Sequence, residues 1–320
     1  MRNGFAVGIE IGGSALRVGL IAGDGRVIRS ARKASAHLRD QSRAAGLLRT
    51  DINSFLTESD VSPADCAGIG IGMAGLVDNE RRTMILASNL GWRDFQLGDE
   101  ISSLTKVRTI VDKDTNMAAV GELAVGAGVG LKSFIYATLG TGVGGAVIYN
   151  GRLLRGIGNR AGEFGHVLLD GPEECGCGYR GCLETVAGGV AVAREARRAL
   201  ESGAHSTIRD VVSGLLKDIT AQTVVEAAEH GDDVAQEILD RAAHATAVSL
   251  LNAVRMIYPE AVILGGSLGT SAFVFQSIKD FVEANSVFPE THLPPVRVLP
   301  AGLGDDAAIV GAGLSVFQGS

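Results

Sequence analysis

The sequence predicts an α/β protein of two domains with mainly parallel sheets. Three observations support this class. The chain has 320 residues, more than one compact core usually needs. Strand-like apolar runs alternate along it with segments of helical periodicity. A unit of strand, glycine turn and strand occurs twice, at residues 4–22 and 134–149, which suggests two related halves that face one ligand.

The first half begins with this unit, where apolar β-rich runs flank Gly12-Gly13-Ser14 and predict a hairpin. Apolar residues at helical spacing then predict an amphipathic helix over about residues 41–57. Short buried-type runs predict strands at 66–72 and 107–112. Strands that alternate with helices in this way favour a mainly parallel sheet.

The second half opens with the repeated hairpin and becomes helical after residue 188. The clearest helix covers 232–258, where apolar residues keep helical spacing until Pro259. A buried strand from Ala261 ends in two glycines, and the tail from Asp305 to Phe317 predicts a last helix packed on the N-terminal half.

These elements predict an N-terminal domain of residues 1–114, completed by the C-terminal helix 306–320, and a larger domain of 115–305 that carries the cysteine-rich loop. No low-complexity linker is visible, so we expect hinges near 114–117 and 304–306.

Composition excludes several classes of protein. The net charge is −7, from 29 basic and 36 acidic residues, and no Lys/Arg cluster suggests nucleic-acid binding. No apolar run reaches membrane-spanning length, and a strand-like run follows Met1 within a few residues, so we expect no signal peptide. We therefore expect a cytoplasmic protein with no nucleic-acid or membrane partner. Three of its four cysteines are clustered, which favours a metal site over disulfides.

Two glycine-rich turns could bring backbone N–H groups close to phosphates. Neither matches a P-loop or a dinucleotide fingerprint, and each alone could be only a tight hairpin. Together, with a third glycine pair available for a nucleoside, they predict ATP binding. The predicted ATP-binding residues are Glu10, Gly12, Gly13, Ser14, Thr141, Gly142, Gly144, Gly265 and Gly266.

Asp114 follows the predicted strand 107–112 directly, in Asp-Lys-Asp-Thr-Asn. A carboxylate at a strand's carboxyl end in an α/β fold is placed for chemistry. In phosphoryl transfer it would orient the attacking hydroxyl and accept its proton. Taken alone, the same residue could be a helix N-cap.

A metal site is predicted by His166, Cys175, Cys177 and Cys182, which lie within 17 residues. Four such ligands suit a tetrahedral structural Zn²⁺ with no open position. Glu163 and Glu184 lie next to ligands of this set, so zinc would hold both carboxylates where they could accept hydrogen bonds from neutral polyol hydroxyls. Alternatively, each is a solvated surface charge. Arg155 and Arg160 are expected to be surface or loop residues, and Cys66 a core residue.

These segments resemble the ROK family of bacterial sugar kinases and related repressors, within the actin/hexokinase-like ATPase superfamily. The resemblance covers essentially the whole chain. The matching segments are 8–14 (G-I-E-I-G-G-S), 70–78 (G-I-G-M-A-G-L-V-D), 112–122 (D-K-D-T-N-M-A-A-V-G-E), 138–145 (T-L-G-T-G-V-G-G), 161–166 (A-G-E-F-G-H) and 175–184 (C-G-C-G-Y-R-G-C-L-E).

The resemblance implies a two-domain actin/hexokinase-like (ribonuclease H-like) fold with an interdomain cleft, and ATP with Mg²⁺ as donor. It implies Asp114 as catalytic base and transfer to the 6-hydroxyl of a hexose. It also implies a homodimer or homotetramer. The sugar ligands that it implies are Gly75, Asn89, Asp114, Glu163, His166 and Glu184, together with Lys113, which occupies the position next to the base.

The chain departs from the family's pattern at three positions. Glu10 and Ser14 replace Asp and Thr and keep the chemical type. Lys113 replaces an Asn that touches the sugar, and an ammonium only donates hydrogen bonds. Either the substrate differs there, or Lys113 points elsewhere, or turnover is impaired.

We therefore predict an ATP-dependent hexose kinase, with glucose as the first substrate and an amino, N-acetylated or acidic sugar as alternative. The rival is a catalytically weak sugar-binding sensor. A DNA-binding regulator is disfavoured because no helix-turn-helix segment precedes the first strand. A nicotinamide-dependent oxidoreductase is excluded because the Rossmann fingerprint is missing.

Overall fold

The computed structural model describes residues 4–80, 82–287 and 293–318, with the side chain of residue 318 left aside. It is a mixed α/β structure, as the sequence predicts. The strands are β1 (Phe5–Ile11), β2 (Ala15–Ala22), β3 (Val27–Ala34), β4 (Cys66–Met73), β5 (Leu76–Asp78), β6 (Thr83–Ala87), β7 (Trp92–Phe95), β8 (Thr109–Lys113), β9 (Phe134–Leu139), β10 (Val143–Tyr149), β11 (Arg152–Leu153), β12 (Ala261–Gly265) and β13 (Arg297–Pro300). The helices are α1 (Gln41–Glu58), α2 (Leu97–Thr105), α3 (Asp114–Val125), α4 (Glu184–Ala187), α5 (Gly189–Glu201), α6 (Ile208–Val211), α7 (Ala221–Glu229), α8 (Asp233–Ile257), α9 (Ala272–Asn285) and α10 (Ala307–Gln318).

The chain forms two compact units, and both are discontinuous. The first unit contains Met1–Gly130, Gly151–Ala161 and Gly302–Ser320, and the second contains Leu131–Asn150 and Gly162–Ala301. Their bounds differ from the domains expected from sequence, because residues 115–130, 151–161 and 302–305 group with the first unit. The expected hinge positions fall inside this unit, at the start of α3 and in a 3₁₀ turn before α10.

The first unit is built on a five-stranded sheet of order β3-β2-β1-β4-β8. The predicted hairpin is confirmed, since β1 and β2 pair antiparallel from Phe5–Ala22 to Ile11–Leu16. Strands β1, β4 and β8 run parallel, so their carboxyl ends share one edge of the sheet. Strand β8 begins two residues later than predicted and extends through Lys113. A small antiparallel sheet of β5, β6 and β7 completes this unit.

Helix α10 packs on the first unit's sheet, as predicted for the chain's tail. Glycine makes this contact close, because a Cβ on Gly8 would overlap the carbonyl of Ile309 and one on Gly70 the carbonyl of Ala312. On its other side, Gly311 lies against the carbonyl of Met117 in α3. The sheet, α10 and α3 are therefore in backbone contact, which any larger side chain would prevent.

A buried carboxylate fastens the segments next to α3 and α10. Glu122 is fully buried and accepts backbone hydrogen bonds from Ala127 (2.7 Å), Gly302 (3.0 Å) and Leu303 (2.9 Å). These three N–H donors compensate for its removal from water. From the sequence alone, Glu122 has no role beyond its place in a family motif.

The second unit contains a sheet in which β10, β9, β12 and β13 lie side by side. The β9–β10 hairpin is antiparallel, while β9–β12 and β12–β13 are parallel. Helix α8 begins at the N-cap Asp232, whose carboxylate accepts from Ala235 N (2.9 Å), and ends at Tyr258 in the left-handed conformation before Pro259. Its apolar side joins the core of this unit, with Leu239, Ala242 and Leu250 fully or almost fully buried.

No described helix combines the length and apolar character that crossing a bilayer requires.

Candidate active site

In the first unit, the predicted site residues lie along one edge of the main sheet. Ile11, Met73 and Lys113 are partners across β1, β4 and β8, so the three parallel strands end side by side. The residues that follow these strand ends are the glycine turn after β1, Gly75 after β4, and Asp114 after β8. The structure therefore brings these separately predicted segments together.

The first glycine turn is closed by a hydrogen bond from Gly12 N to Ala15 O (2.9 Å). Asn89 packs directly on it, because a Cβ on Gly13 would lie 2.7 Å from the Asn89 Cβ. Gly75 has a φ of +131° and no room for a side chain beside the Leu86 carbonyl. Ser14 is exposed, and its carbonyl accepts from Ser35 N (3.1 Å). Asn89 and the glycine turn thus form one continuous surface.

Glu10 lies at the end of β1 and is largely buried. Burial, and then the charge of Asp114, raise the pKa of Glu10 to about 7 despite Arg17. The guanidinium Nε of Arg17 lies 3.7 Å from the Glu10 carboxylate, and Arg17 also pairs with Asp305. Arg17 does not outweigh burial and the charge of Asp114, so the two neighbouring carboxylates are suited to bind a cation.

Asp114 is the first residue of α3, directly after β8. Its Oδ1 accepts a hydrogen bond from Thr115 N (2.7 Å), and its Cα packs near Gly72 of β4. Its side chain is half-buried. Asp114 therefore has a fixed backbone position at the sheet edge, close enough to Glu10 for its charge to raise the pKa of that carboxyl.

The neighbours of Asp114 on the strand were missed or assigned differently from the sequence. Asp112 is buried and forms an ion pair with Arg155, which was expected to be a surface or loop residue. Lys113 was assigned as a sugar ligand, and its Nζ donates to Ala161 O at 2.7 Å. No spacing rule links residues 43 to 48 positions apart, so this pairing carries no signal in a single sequence.

In the second unit, the other glycine segments also meet at one sheet edge. Gly265 pairs with Thr138 at the carboxyl ends of the parallel strands β12 and β9. Gly266 has a φ of +78° and lies against the Leu139 carbonyl, with no space for a Cβ. The turn after β9 is held by the start of α5, since Gly189 N donates to Gly140 O (2.8 Å) and Val190 N to Thr141 O (3.1 Å). The turn that contains Thr141, Gly142 and Gly144 is therefore rigidly supported.

Glu184, the first residue of α4, reaches the same turn. Its Oε2 accepts from Val143 N (2.9 Å), and a Cβ on Gly142 would overlap this oxygen. Glu163 precedes a 3₁₀ turn that ends at His166, and His166 N donates to Glu163 O (3.1 Å). Both glutamates are half-buried, and the carboxylate of Glu184 is also positioned by a backbone N–H, unlike a solvated surface charge.

The structure brings the four predicted zinc ligands together. One candidate atom each of His166, Cys175, Cys177 and Cys182 lies within 4.8 Å of all the others. His166 Nδ1 is 3.5 Å from Cys175 Sγ, and Cys177 Sγ is 3.5 Å from Cys182 Sγ. Tetrahedral Zn²⁺ with Zn–S bonds of about 2.3 Å separates its sulfurs by about 3.8 Å. The cluster is therefore compatible with structural zinc.

Backbone hydrogen bonds also shape this cluster. Cys175 N donates to Tyr179 O (2.8 Å), and Leu183 N donates to Val167 O (2.8 Å). Burial and the neighbouring thiols raise the pKa of Cys182 to about 12. Without a cation its thiol stays protonated at neutral pH, and a metal ion would displace the proton.

Comparison with known proteins assigns the family. The model of the ROK family matches residues 6–318. A glucokinase of Halalkalibacterium halodurans is 32% identical over 335 residues, with 99% of this chain and 96% of that protein covered. The crystal structure of a ROK family glucokinase from Streptomyces griseus in complex with glucose and AMPPNP is 30% identical, with a TM-score of 0.87 over 99% of this chain and 100% of that one.

Other relatives differ in function. An N-acetylmannosamine kinase of Yersinia pestis is 30% identical over 97% of this chain and 98% of its own length. A xylose repressor of Bacillus subtilis is 28% identical over 96% of this chain and 76% of its own length.

The match over nearly the whole chain, together with the two-unit α/β architecture and the glycine, carboxylate and cysteine clusters, shows that the chain belongs to the ROK family.

Proposed function

We propose that this ATP-dependent sugar kinase transfers the γ-phosphoryl group of ATP to the 6-hydroxyl of a hexose, with glucose as the first candidate. One observation carries the proposal. Asp114 stands at the carboxyl end of β8, and the partners across the sheet place it at the same edge as the first glycine turn. A carboxylate beside a glycine-rich turn is what hydroxyl activation next to a phosphate requires.

In the proposed mechanism Asp114 accepts a hydrogen bond from the attacking hydroxyl and takes its proton as the bond to phosphorus forms. Thr115 N already occupies one lone pair of its Oδ1, which orients the carboxylate. The proposed nucleotide-binding segments are the turn with Gly12, Gly13 and Ser14, the turn with Thr141, Gly142 and Gly144, and the glycine pair Gly265 and Gly266. Mg²⁺, when bound, would neutralise phosphate charge. Glu10 is suited to hold it, because burial and the charge of Asp114 disfavour the ionised Glu10 carboxylate unless a cation is near.

The sugar is proposed to be held by polar groups of known placement. Glu184 keeps one oxygen, Oε1, for a sugar hydroxyl while Oε2 binds Val143 N. His166 would give Nδ1 to zinc, since this atom faces Cys175, and offer Nε2 to a hydroxyl. Glu163, Asn89 and Gly75 complete the proposed ligands. That Lys113 contacts the sugar stays a prediction of the family resemblance.

Zinc is proposed as a structural ion. All four candidate ligands are protein side chains, which leaves no open position for substrate. Its role would be to fix the segment 166–182, and with it the residues on both sides of that segment. Zinc would thereby hold Glu184 in place.

A second substrate class is favoured by a specific observation. A mostly apolar cavity of about 200 Å³ borders Glu163 and is lined in part by Tyr136, Val147, Phe164 and Ala253. Such a space suits the methyl group of an N-acetylated hexose. The N-acetylmannosamine kinase relative supports the same alternative.

The test is ADP release by purified protein with Mg²⁺-ATP and a panel of glucose, mannose, glucosamine, N-acetylglucosamine, N-acetylmannosamine and glucuronate. Turnover of one sugar at least about a hundredfold above the ATPase background supports the kinase. Tight binding of a sugar by calorimetry without ADP release indicates a sugar-binding protein instead.

The assembly is proposed to be a homodimer or homotetramer, on the basis of the family resemblance. Light scattering coupled to size-exclusion chromatography tests this, and the mass of a single 33.1 kDa chain would contradict it.

A further inference from the structure

Residues 155–161 form a closed loop in the first unit, called here the 155–161 loop. Ala161 N donates to Arg155 O at 2.8 Å, which joins its two ends. Gly156, Gly158 and Asn159 have φ values of +65°, +61° and +62°, so the backbone turns tightly inside it. Ile157 at its tip is 97% exposed. Because the tip makes so little packing, the loop depends on contacts near its ends.

Asp112 holds one end of the loop. Asp112 is only 2% exposed, and its Oδ2 lies 3.0 Å from both Nε and Nη2 of Arg155. Its Oδ1 accepts from Asn159 Nδ2 (2.8 Å) and from Asn116 Nδ2 (2.7 Å). Asn159 also accepts from Asn116 through its own Oδ1 (3.0 Å). The loop's first and fifth residues are thus bound to the end of β8 and the first turn of α3.

Lys113 holds the other end of the loop. Its side chain is 5% exposed, and its Nζ donates to Ala161 O at 2.7 Å. This is a charge-assisted hydrogen bond shielded from water, the stronger kind in proteins. Ala161 is two residues before Glu163 in the chain. The ammonium therefore fixes the last carbonyl of the loop, two residues before the proposed sugar ligand Glu163.

We propose that Lys113 is a positioning residue: its ammonium fastens the 155–161 loop to the strand end that carries Asp114, instead of serving the sugar directly. The reach of the side chain explains the residue type. A lysine spans the distance to the Ala161 carbonyl with a four-carbon stem and a donor-only head, and an asparagine at this position is too short to do the same. This inference rests on the proposed function for its kinetic consequence, and on the loop contacts alone for its structural consequence.

The experiment compares Lys113→Met with the wild-type protein and with Lys132→Met, which removes an exposed ammonium elsewhere. Hydrogen–deuterium exchange of peptides that cover 155–161 should be about tenfold faster in Lys113→Met, the effect of losing one charge-assisted hydrogen bond. Exchange in α1 and in the second turn of α3 should stay unchanged. Lys113→Met should also raise the KM for the sugar about tenfold, because the loop would no longer fix the chain next to Glu163. The KM for ATP should change less than about twofold. Lys132→Met should match the wild type in both.

Lys113→Asn tests the opposite view, that lysine obstructs the sugar. Our proposal predicts weaker sugar binding and a less protected loop in this variant. Higher turnover of glucose with unchanged loop exchange would overturn it. If Lys113→Met does not fold, Lys113→Gln, which keeps an amide donor, is measured in the same way. Intermediate exchange and KM support the proposal, and wild-type values of both contradict it. If the wild-type protein phosphorylates no sugar, the proposed function fails, and the exchange rates still decide the role of Lys113.

Discussion

Glu184 Oε2 accepts a hydrogen bond from the backbone N–H of Val143 at 2.9 Å, across 41 residues of sequence. The bond joins two motifs that the sequence shows only separately, the glycine turn after β9 and the cysteine-rich segment before α4. It fixes one carboxylate oxygen and leaves the other for a ligand. A perturbation of the turn should therefore be felt as a loss of sugar binding.

Gly142→Ala tests this link. The added methyl group would overlap Glu184 Oε2, so the carboxylate must move away from Val143. We expect the KM for the sugar to rise about tenfold, the effect of one misplaced charged hydrogen bond. In a double-mutant cycle with Glu184→Gln the two effects should not add, because both disturb the same carboxylate. Gly140→Ala in the same turn has open space around it and should leave the sugar KM near the wild-type value.

Removal of zinc should destabilise the second unit. The four candidate ligands lie on a segment with few regular elements, and the metal would cross-link them. Dialysis against a strong chelator should lower the unfolding midpoint and release about one Zn²⁺ per chain. Cys182→Ser, which removes a fully buried ligand, should do the same.

Cys66→Ser serves as the control for the zinc prediction. Cys66 lies in β4 of the first unit, away from the cluster in sequence. This variant should keep the full zinc content. Metal analysis that finds no zinc in the wild-type protein would contradict the assignment.

The raised pKa of Glu10 predicts a pH dependence of stability. Between pH 4.5 and about 7, folded Glu10 keeps a proton that the unfolded chain has released, so the free energy of unfolding falls as pH rises through this window. With the pKa of Glu10 raised to about 7, the free energy of unfolding should fall by about 3 kcal/mol across this pH window.

Glu10→Gln should therefore be more stable than the wild type at pH 8 and about equal at pH 5. Urea unfolding in Mg²⁺-free buffer at both values measures this. Glu237→Gln, at an exposed position of α8, should show no such difference. Equal stability of Glu10→Gln and wild type at pH 8 would show that Glu10 ionises at its ordinary pKa.

Glycine-to-alanine substitutions should have opposite effects on stability at a closely packed glycine of α10 and at an exposed glycine of α1. Gly311→Ala would drive a methyl group into the Met117 carbonyl and should destabilise the protein by about 3 kcal/mol. Gly46→Ala, in the exposed part of α1 with open space around it, should stabilise by about 1 kcal/mol. Shifts of the same sign in the urea midpoint would contradict the close packing of α10.

Much of the fold could be predicted from local pattern. The two hairpins, the amphipathic helix α1, and α8 with its stop at Pro259 each depend on residues close in sequence. The four zinc ligands were found for the same reason, since they occupy 17 consecutive residues. Periodicity and spacing are sufficient where the partners are neighbours.

The contacts that were missed join distant segments. Asp112 reads as one of two similar carboxylates around Lys113, and only the fold shows that it binds Arg155 while Asp114 stays at the sheet edge. The role of Glu122 depends on Gly302, 180 residues away. The division of the chain also differed, because 151–161 leaves its neighbours in sequence to join the first unit.

The most direct test of the account is the turnover number of Asp114→Asn. Asparagine keeps the size of the side chain and can still accept from Thr115 N, so folding and sugar binding should persist. Measured as ADP release with the best sugar of the panel, kcat should fall about a thousandfold, while the sugar Kd by calorimetry changes less than about threefold. A variant that keeps a tenth or more of the wild-type kcat would contradict Asp114 as the base.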